Sequence, residues 1–273
     1  MRRFDRSDRQ HVFWWSPPSR RLRIWRRENA GDYLSPVLVE RMLRGYRLRL
    51  RDKRPGTGRL FAIGSVLHFA SDGDVVWGSG VNGKIEADRH RFRNLDVRAV
   101  RGPLTREFLA RRGIECPPVY GDPALLLPVL CPDLASACRG KQDYVIVPHM
   151  HDLAGLRAAG VERDRVISPL VHWRRFVTRI LDSRLVLSAS LHGLIIAEAF
   201  GIPARLLRLS ERESLFKYED YYRGSGRDTF MPATTVAEGL SRGGEPPLDF
   251  DPEPLRRAFP LDLWTEKEVV NHA

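Results

Sequence analysis

Short apolar runs alternate with helix-spaced segments along most of the chain. RLFAIG (59–64), DVVW (74–77) and DVRAV (96–100) are brief, β-branched or apolar runs, and they predict strands buried on both faces. RLRIW (21–25) predicts a further strand before them. SPVLVERML (35–43) opens on Ser35-Pro36, and GPLTREFLARRG (102–113) has Pro103 in its first turn and Gly113 at its end, so both predict helices. A second series repeats the rhythm, with DYVIVPH (143–149), RVISPL (165–170), RLVLSAS (184–190) and ARLLRL (204–209) as strands. Between these, VHWRRFVTRILDS (171–183) and SLHGLIIAEAFG (190–201) have helical spacing, the latter closed by Gly201 and Pro203. Strand, helix and strand at this spacing imply parallel sheets joined by crossover helices. The fold class expected is therefore α/β with two Rossmann-like domains: residues 1–130, including a basic amino-terminal segment, and residues 140–225. LLLPVLCPDLASACRGKQ (125–142), rich in Pro and small residues, reads as a linker. Residues 226–273 fade into Gly, Pro and charge and read as a tail packing across the domains.

Composition changes this picture little, but charge changes it more. A chain of 273 residues with 42% hydrophobic content has enough apolar material for real cores, which excludes disorder as the default. No run approaches the length of a membrane span, and VFWW (12–15) is too short for a signal-peptide core, so a cytoplasmic location is expected. Cys116, Cys131 and Cys138 are odd in number and fit no metal-ligand spacing, which predicts packing roles, no disulfide framework and no metal. Residues 1–54 hold 16 Lys and Arg against 6 Asp and Glu, a net of +10 out of +11 for the whole chain. The arginines of RRLRIWRR (20–27) and RGYRLRLRDKR (44–54) are interleaved with Trp14, Trp15 and Trp25. That mixture suits an anionic membrane surface or a phosphorylated substrate, and equally an arginine-rich solvated face. No recognition-helix, zinc-finger or RNP-like pattern accompanies it, so nucleic acid is not expected as a partner.

Candidate chemistry gathers at predicted strand-to-helix junctions. In a parallel α/β domain, ligands collect beyond the carboxyl ends of strands, where helix N-termini offer free N–H groups. His192 falls at such a place, with Ser190 as N-cap; the alternative is a histidine satisfied by backbone. GSGVNGK (78–84) nearly matches a P-loop, but Ile85 supplies no hydroxyl for magnesium and EADRHRFR is no apolar helix, so only a glycine-rich turn close to a ligand is expected. ENAGD (28–32) places Asn29 and Asp32 as loop and capping residues or as contacts to a substrate hydroxyl. Arg98 and Arg101 straddle a strand end, and Arg101, before Gly102-Pro103, is well placed for an anion. GDPALLLP (121–128) reads as structural, with Asp122 as a cap. FKYEDYYRGSGR (216–227), with Tyr218, Tyr221 and Tyr222, reads as a sugar platform or as an amphipathic helix.

Six blocks in one order then bear on these alternatives: GSVLHFASDGDVVWGSGVNGKI, LDVRAVRGPLTREFL, VYGDPALL, VIVPH, SLHGLIIAEAFGIPA and FKYEDYYRGSGR. Together they resemble the polysaccharide pyruvyltransferase family over roughly residues 28–227, and within it the xanthan-type, ketal-forming subgroup. The resemblance implies a GT-B-like arrangement of the two domains with an interdomain cleft. It implies transfer of the enolpyruvyl group of phosphoenolpyruvate, a co-substrate in place of any cofactor, onto two hydroxyls of a sugar. The product is a cyclic pyruvate ketal, with release of phosphate. His192 is then the general acid/base, Arg101 the donor anchor, and Asp32 and Asn29 line the pocket. Ser190 and Leu191 in the same first turn face the donor. Several relatives resemble R-L-H-G where this chain has Ser190, so one donor contact must come from Arg98, Lys84, His149 or Lys217. The implied acceptor is a lipid-linked exopolysaccharide repeat unit, handled by a peripheral enzyme at the cytoplasmic face of the inner membrane. A GT-B glycosyltransferase using a nucleotide sugar, and a non-enzymatic polyanion- or membrane-binding protein, are the competing readings.

Overall fold

The computed structural model describes residues 4–5, 7–17, 28–136, 140–149, 152, 156, 161–211 and 213–266. The strand expected at 21–25, the arginines of 20–27 and Cys138 lie outside the described residues.

Two parallel sheets carry the chain. The first contains β1 (Val12–Phe13), β2 (Leu60–Phe61), β3 (Val75–Trp77) and β4 (Asp96–Ala99) in sequence order, and a parallel bridge from Val100 to Tyr120 extends it by one position. The second contains β5 (Val145–Val147), β6 (Val186–Ser188) and β7 (Ala204–Leu206). Single parallel bridges flank it: Val166 pairs with Ile146 on the open side of β5, and Ala233 pairs with Leu207 beyond β7. The second half therefore runs 166, β5, β6, β7, 233 across the sheet, an order that reverses direction between β5 and β6. A reversal of this kind opens a crevice at the carboxyl ends of the two strands involved.

The predicted helices form, the first one residue longer at each end and the others a little shorter than their patterns. Leu34–Arg44 is α1, Pro103–Ala110 is α2 with Pro103 at its start, Trp173–Leu181 is α3, Leu191–Ala199 is α4 and Phe216–Gly224 is α5. α4 is buried nearly all round, which is why LIIAEA shows no polar stripe; Leu194, Ile195 and Ile196 are fully enclosed. Each such side chain contributes roughly 1.5–3 kcal/mol of burial. The first turn of α4 lies close on β6, since a Cβ at Gly193 would stand 2.2 Å from Ser188 Oγ.

Two expectations change. RVISPL contributes one bridge residue rather than a strand, because the chain leaves the sheet into a turn at Pro169-Leu170. The stretch expected as a linker is core: Pro123–Leu126 and Leu127–Leu130 are helical turns whose Leu125, Leu126 and Leu127 are buried, as are Cys131 and Leu134. These residues belong to one apolar cluster that also contains Leu34 and Leu38 of α1 and Leu194 and Ile195 of α4, so the cores of the two halves are continuous. The tail lies on both halves. Glu245 pairs with Arg205 of β7, Trp77 Nε1 of β3 donates to Leu255 O, and Trp264 Nε1 donates to Leu50 O. Among the described residues no helix is long and apolar enough to cross a membrane.

Candidate active site

The carboxyl ends of both sheets converge on one pocket of about 370 Å³. Ser65 and Val66 follow β2, Asn82 and Lys84 follow β3, Pro148 and His149 follow β5, Pro169 follows the Val166 bridge, and Ser190, Leu191 and His192 follow β6. The turn before α1 adds Asn29 and Asp32, and the start of α5 adds Lys217 with Glu213 ahead of it. Eight of the expected site residues therefore line a single cavity: Asn29, Asp32, Lys84, His149, Ser190, Leu191, His192 and Lys217.

His192 sits in the first turn of α4, buried, with its ring pressed on the 28–32 turn. A Cβ at Gly31 would lie 2.2 Å from His192 Nδ1, so only glycine admits the imidazole there. The turn is held by Asn29 Oδ1, which accepts from Gly31 N–H, and by Ala30 N–H donating to Pro169 O. Burial, with the nearby charges of Arg101 and Lys217, pushes the imidazole down to about 3, so it is neutral at physiological pH. Its Nε2 is enclosed without a hydrogen-bond partner and stands 3.8 Å from Asp122 Oδ2, itself enclosed and unpartnered.

Asp32 and Asp122 are the carboxyl groups of this buried cluster. Burial first, and the charge of Asp122 second, raise Asp32 to about 7 against the pull of Lys217. Burial likewise raises Asp122 to about 7, although Ala124 N–H and Arg101 oppose it. Asp32 is also sterically fixed, because Gly64, at φ +103°, brings its backbone so close that a Cβ would lie 2.5 Å from Asp32 Oδ1.

A cationic group faces the same space. Glu213 accepts from Lys217 Nζ at 2.6 Å and from Lys84 Nζ, and His149 Nε2 lies 3.3 Å from it. Burial alone would raise Glu213, yet Lys217, Lys84 and His149 hold it below its ordinary value. Burial lowers Lys217, with Glu213 acting against that.

Two expected anion contacts are not made here. Arg98 lies away from the pocket lining, bound to Asp96 and by two bonds to Asp262 of the tail, so it is spent on the surface where the tail docks. Arg101 is fully buried and its guanidinium is engaged by protein: Nε and Nη2 meet Asp220, Nη2 donates to Val81 O and Nη1 donates to Ser65 Oγ at 2.6 Å. It supports the wall through Ser65 instead of lining it. Gly80 makes this possible, since a Cβ there would strike the guanidinium at 2.5 Å, so the glycine-rich turn approaches a side chain rather than a phosphate.

Ser190 occupies the N-cap position, but its hydroxyl makes no capping bond; Ser188 Oγ binds the Ser190 backbone instead. The Ser190 hydroxyl is left to the pocket. The tyrosines expected as a sugar platform are buried: Tyr218 donates to Ala189 O and Tyr221 to Glu198, as the amphipathic-helix reading requires. Aromatic surface at the pocket comes instead from Trp15, His68 and Phe69, the last 41% exposed. Trp15 was singled out only with the basic amino-terminal segment and Asp122 only as a cap, while His68, Phe69 and Glu213 are what the sequence reading missed. Asp122 follows the Tyr120 bridge at a strand's carboxyl end, the same positional signal that singled out His192.

A family model described as polysaccharide pyruvyl transferase matches residues 52–211, a span that contains Lys84, Asp122, His149 and His192. The chain is also 30% identical, over 227 residues, to the succinoglycan biosynthesis protein ExoV of Rhizobium meliloti (strain 1021), covering 79% of this chain and 68% of that protein. No solved structure matches.

Proposed function

The chain belongs to the polysaccharide pyruvyl transferase family, and from that premise we propose that it moves the enolpyruvyl group of phosphoenolpyruvate onto two hydroxyls of an exopolysaccharide sugar. The observation that carries this reading is the convergence of His192, Asp32 and the Lys84–His149–Lys217 group on one cavity. The donor is a trianion, with a phosphate and a carboxylate. Two lysines and a histidine on one partly buried carboxylate leave positive charge in excess, and the first turn of α4 adds its N–H groups. This group takes the place that an arginine at position 190 holds in the relatives with R-L-H-G.

In the proposed reaction the enol carbon receives a proton and becomes a methyl carbon, and a sugar hydroxyl adds to the neighbouring carbon. The phosphate leaves, and a second hydroxyl closes the ketal. One proton goes to carbon and one to the departing phosphate, which balances the two lost by the hydroxyls. His192 delivers the first and collects one of the others. Burial keeps the ring neutral, so it acts as an acid through its N–H and as a base through its other nitrogen. Asp32 accepts a hydrogen bond from the acceptor hydroxyl. The two halves, with the pocket between their strand ends, are read as a GT-B-like pair.

The acceptor is proposed to be lipid-linked and met at an anionic inner-membrane face. Arg44, Arg47, Arg49, Arg51 and Arg54 are all exposed beside the carboxyl end of α1, and each basic residue near such a surface is worth about 1 kcal/mol. Incubation with phosphoenolpyruvate and a glycoside acceptor tests the reading. Phosphate release and an acceptor carrying a pyruvate ketal are expected, and His192→Ala should slow both by about 1,000-fold with donor binding retained. Folded wild-type protein that releases no phosphate but binds a nucleotide sugar sinks it.

A further inference from the structure

Asp122 is buried to 1% exposure at the end of the first sheet, and only one of its oxygens is used. Oδ1 accepts from Ala124 N–H at 2.9 Å, which caps the helical turn and fixes the plane of the carboxyl. Oδ2 then points to His192 Nε2, and both atoms are enclosed with no partner. Two unsatisfied buried polar atoms facing one another at 3.8 Å, from elements in the two different halves of the fold, cost stability that a purely structural cap would avoid. Gly31 packs beside the Cβ–Cγ–Nδ1 edge of the ring, which limits its swing. Nε2 is enclosed while the ring borders the pocket, so Nδ1 is taken as the nitrogen that serves it.

We propose that Asp122 is a positioning residue that, on a small approach from the 3.8 Å between them, shares one proton with His192 Nε2, so that Nδ1 can give or take a proton without the imidazole becoming a cation. The proposal rests on the reading of His192 as the proton carrier. In the forward direction Nδ1–H passes its proton to the enol carbon while the Asp122 O–H passes its proton to Nε2. The ring now carries hydrogen on Nε2 and a lone pair on Nδ1. Nδ1 next takes the proton of the attacking hydroxyl, Nε2–H returns its proton to Asp122, and the pair is restored. No net charge appears on the ring at any stage, which suits a site whose burial disfavours imidazolium. The charged and titratable groups around the pair are Asp32 from the turn before α1, Arg101 after β4 and Lys217 on α5. Asp32 lines the pocket, whereas Asp122 lies behind the ring, so the two carboxyls have different duties.

Two measurements on the full chain decide the matter. Infrared difference spectroscopy of the ligand-free protein between pH 5 and pH 9 should show a buried protonated carboxyl whose C=O band disappears in Asp122→Asn. That band should shift in frequency in His192→Gln. A band unmoved by His192→Gln overturns the proton sharing whatever reaction the enzyme performs. Steady-state kinetics with phosphoenolpyruvate form the second measurement. Asp122→Asn should lower kcat by about 100-fold or more, a typical worth for a proton-transfer partner, leave the donor KM within a few-fold, and remove the fall in kcat on the alkaline side. Asp122→Asn added to His192→Ala should cost nothing further. A loss equal in both backgrounds, or one confined to KM, contradicts the proposal. A coupled band in a protein inactive toward phosphoenolpyruvate would retain the pair and reject the donor.

Discussion

Replacing Asp32 by Asn should make the protein more stable at pH 8 and leave it no more stable at about pH 4. Asp32 is held at about 7 in the folded chain against an ordinary value of 3.8, chiefly by burial and next by the charge of Asp122. Its folded-state affinity for a proton thus exceeds that of the unfolded chain. Stability from this group is complete below about pH 4 and is lost as pH rises through 7. A gap from 3.8 to about 7 corresponds to ~4 kcal/mol at alkaline pH. An Asn keeps the shape and cannot ionise, so it escapes this penalty but loses whatever hydrogen bonding the carboxyl makes, a cost of ~1 kcal/mol. The expected net is a gain of ~1–3 kcal/mol at pH 8 and a small loss at about pH 4, where the unfolded carboxyl is only about half ionised. Urea unfolding of both proteins at the two pH values measures it, with m compared to confirm that the unfolded states match. A destabilisation of the same size at both values would refute the argument, because it would mean that Asp32 carries no buried-charge penalty. Enhanced stability should come with weakened acceptor use, the usual exchange at a functional site.

Other perturbations test the packing behind the pocket. Gly31→Ala places a methyl where His192 Nδ1 now stands; kcat should fall by about 100-fold from misplacement of the ring, for ~1–3 kcal/mol of overpacking, and a wild-type rate would remove the claim that Gly31 sets the ring. Arg101→Ala and Asp220→Ala each strand a partner of a fully buried ion pair and should each cost ~3–5 kcal/mol by urea unfolding, with the double variant costing clearly less than the sum; simple additivity would show that the pair is not a unit.

β2, β3, β5 and β6 were legible because both faces of each are buried, which turns them into plain apolar runs, whereas the two-residue β1 within VFWW gave no such run. The core role of 123–134 was not, since prolines at the starts of short helical turns look the same in sequence as prolines in a linker. His192 and Asp32 could be singled out from their places at element junctions. The partners of His192 and Lys217 could not, because His192 meets Asp122 across 70 positions and Lys217 meets Lys84 only through Glu213, which sits in SERES without any periodic signal. Arg98 misled for a related reason: a strand-end arginine that serves an anion and one that clasps a distant aspartate have the same local sequence.

The indoles of Trp77 and Trp264 set an order of events for the growing chain. Trp77 Nε1 finds its acceptor 178 positions later, at Leu255, and the Leu50 carbonyl waits 214 positions for Trp264. During synthesis the first sheet therefore emerges with its central tryptophan unsatisfied and an apolar flank open until Leu255, Phe259 and Trp264 arrive. Closure over such distances is slow, and the half that emerges first is the one left exposed to aggregation for longest.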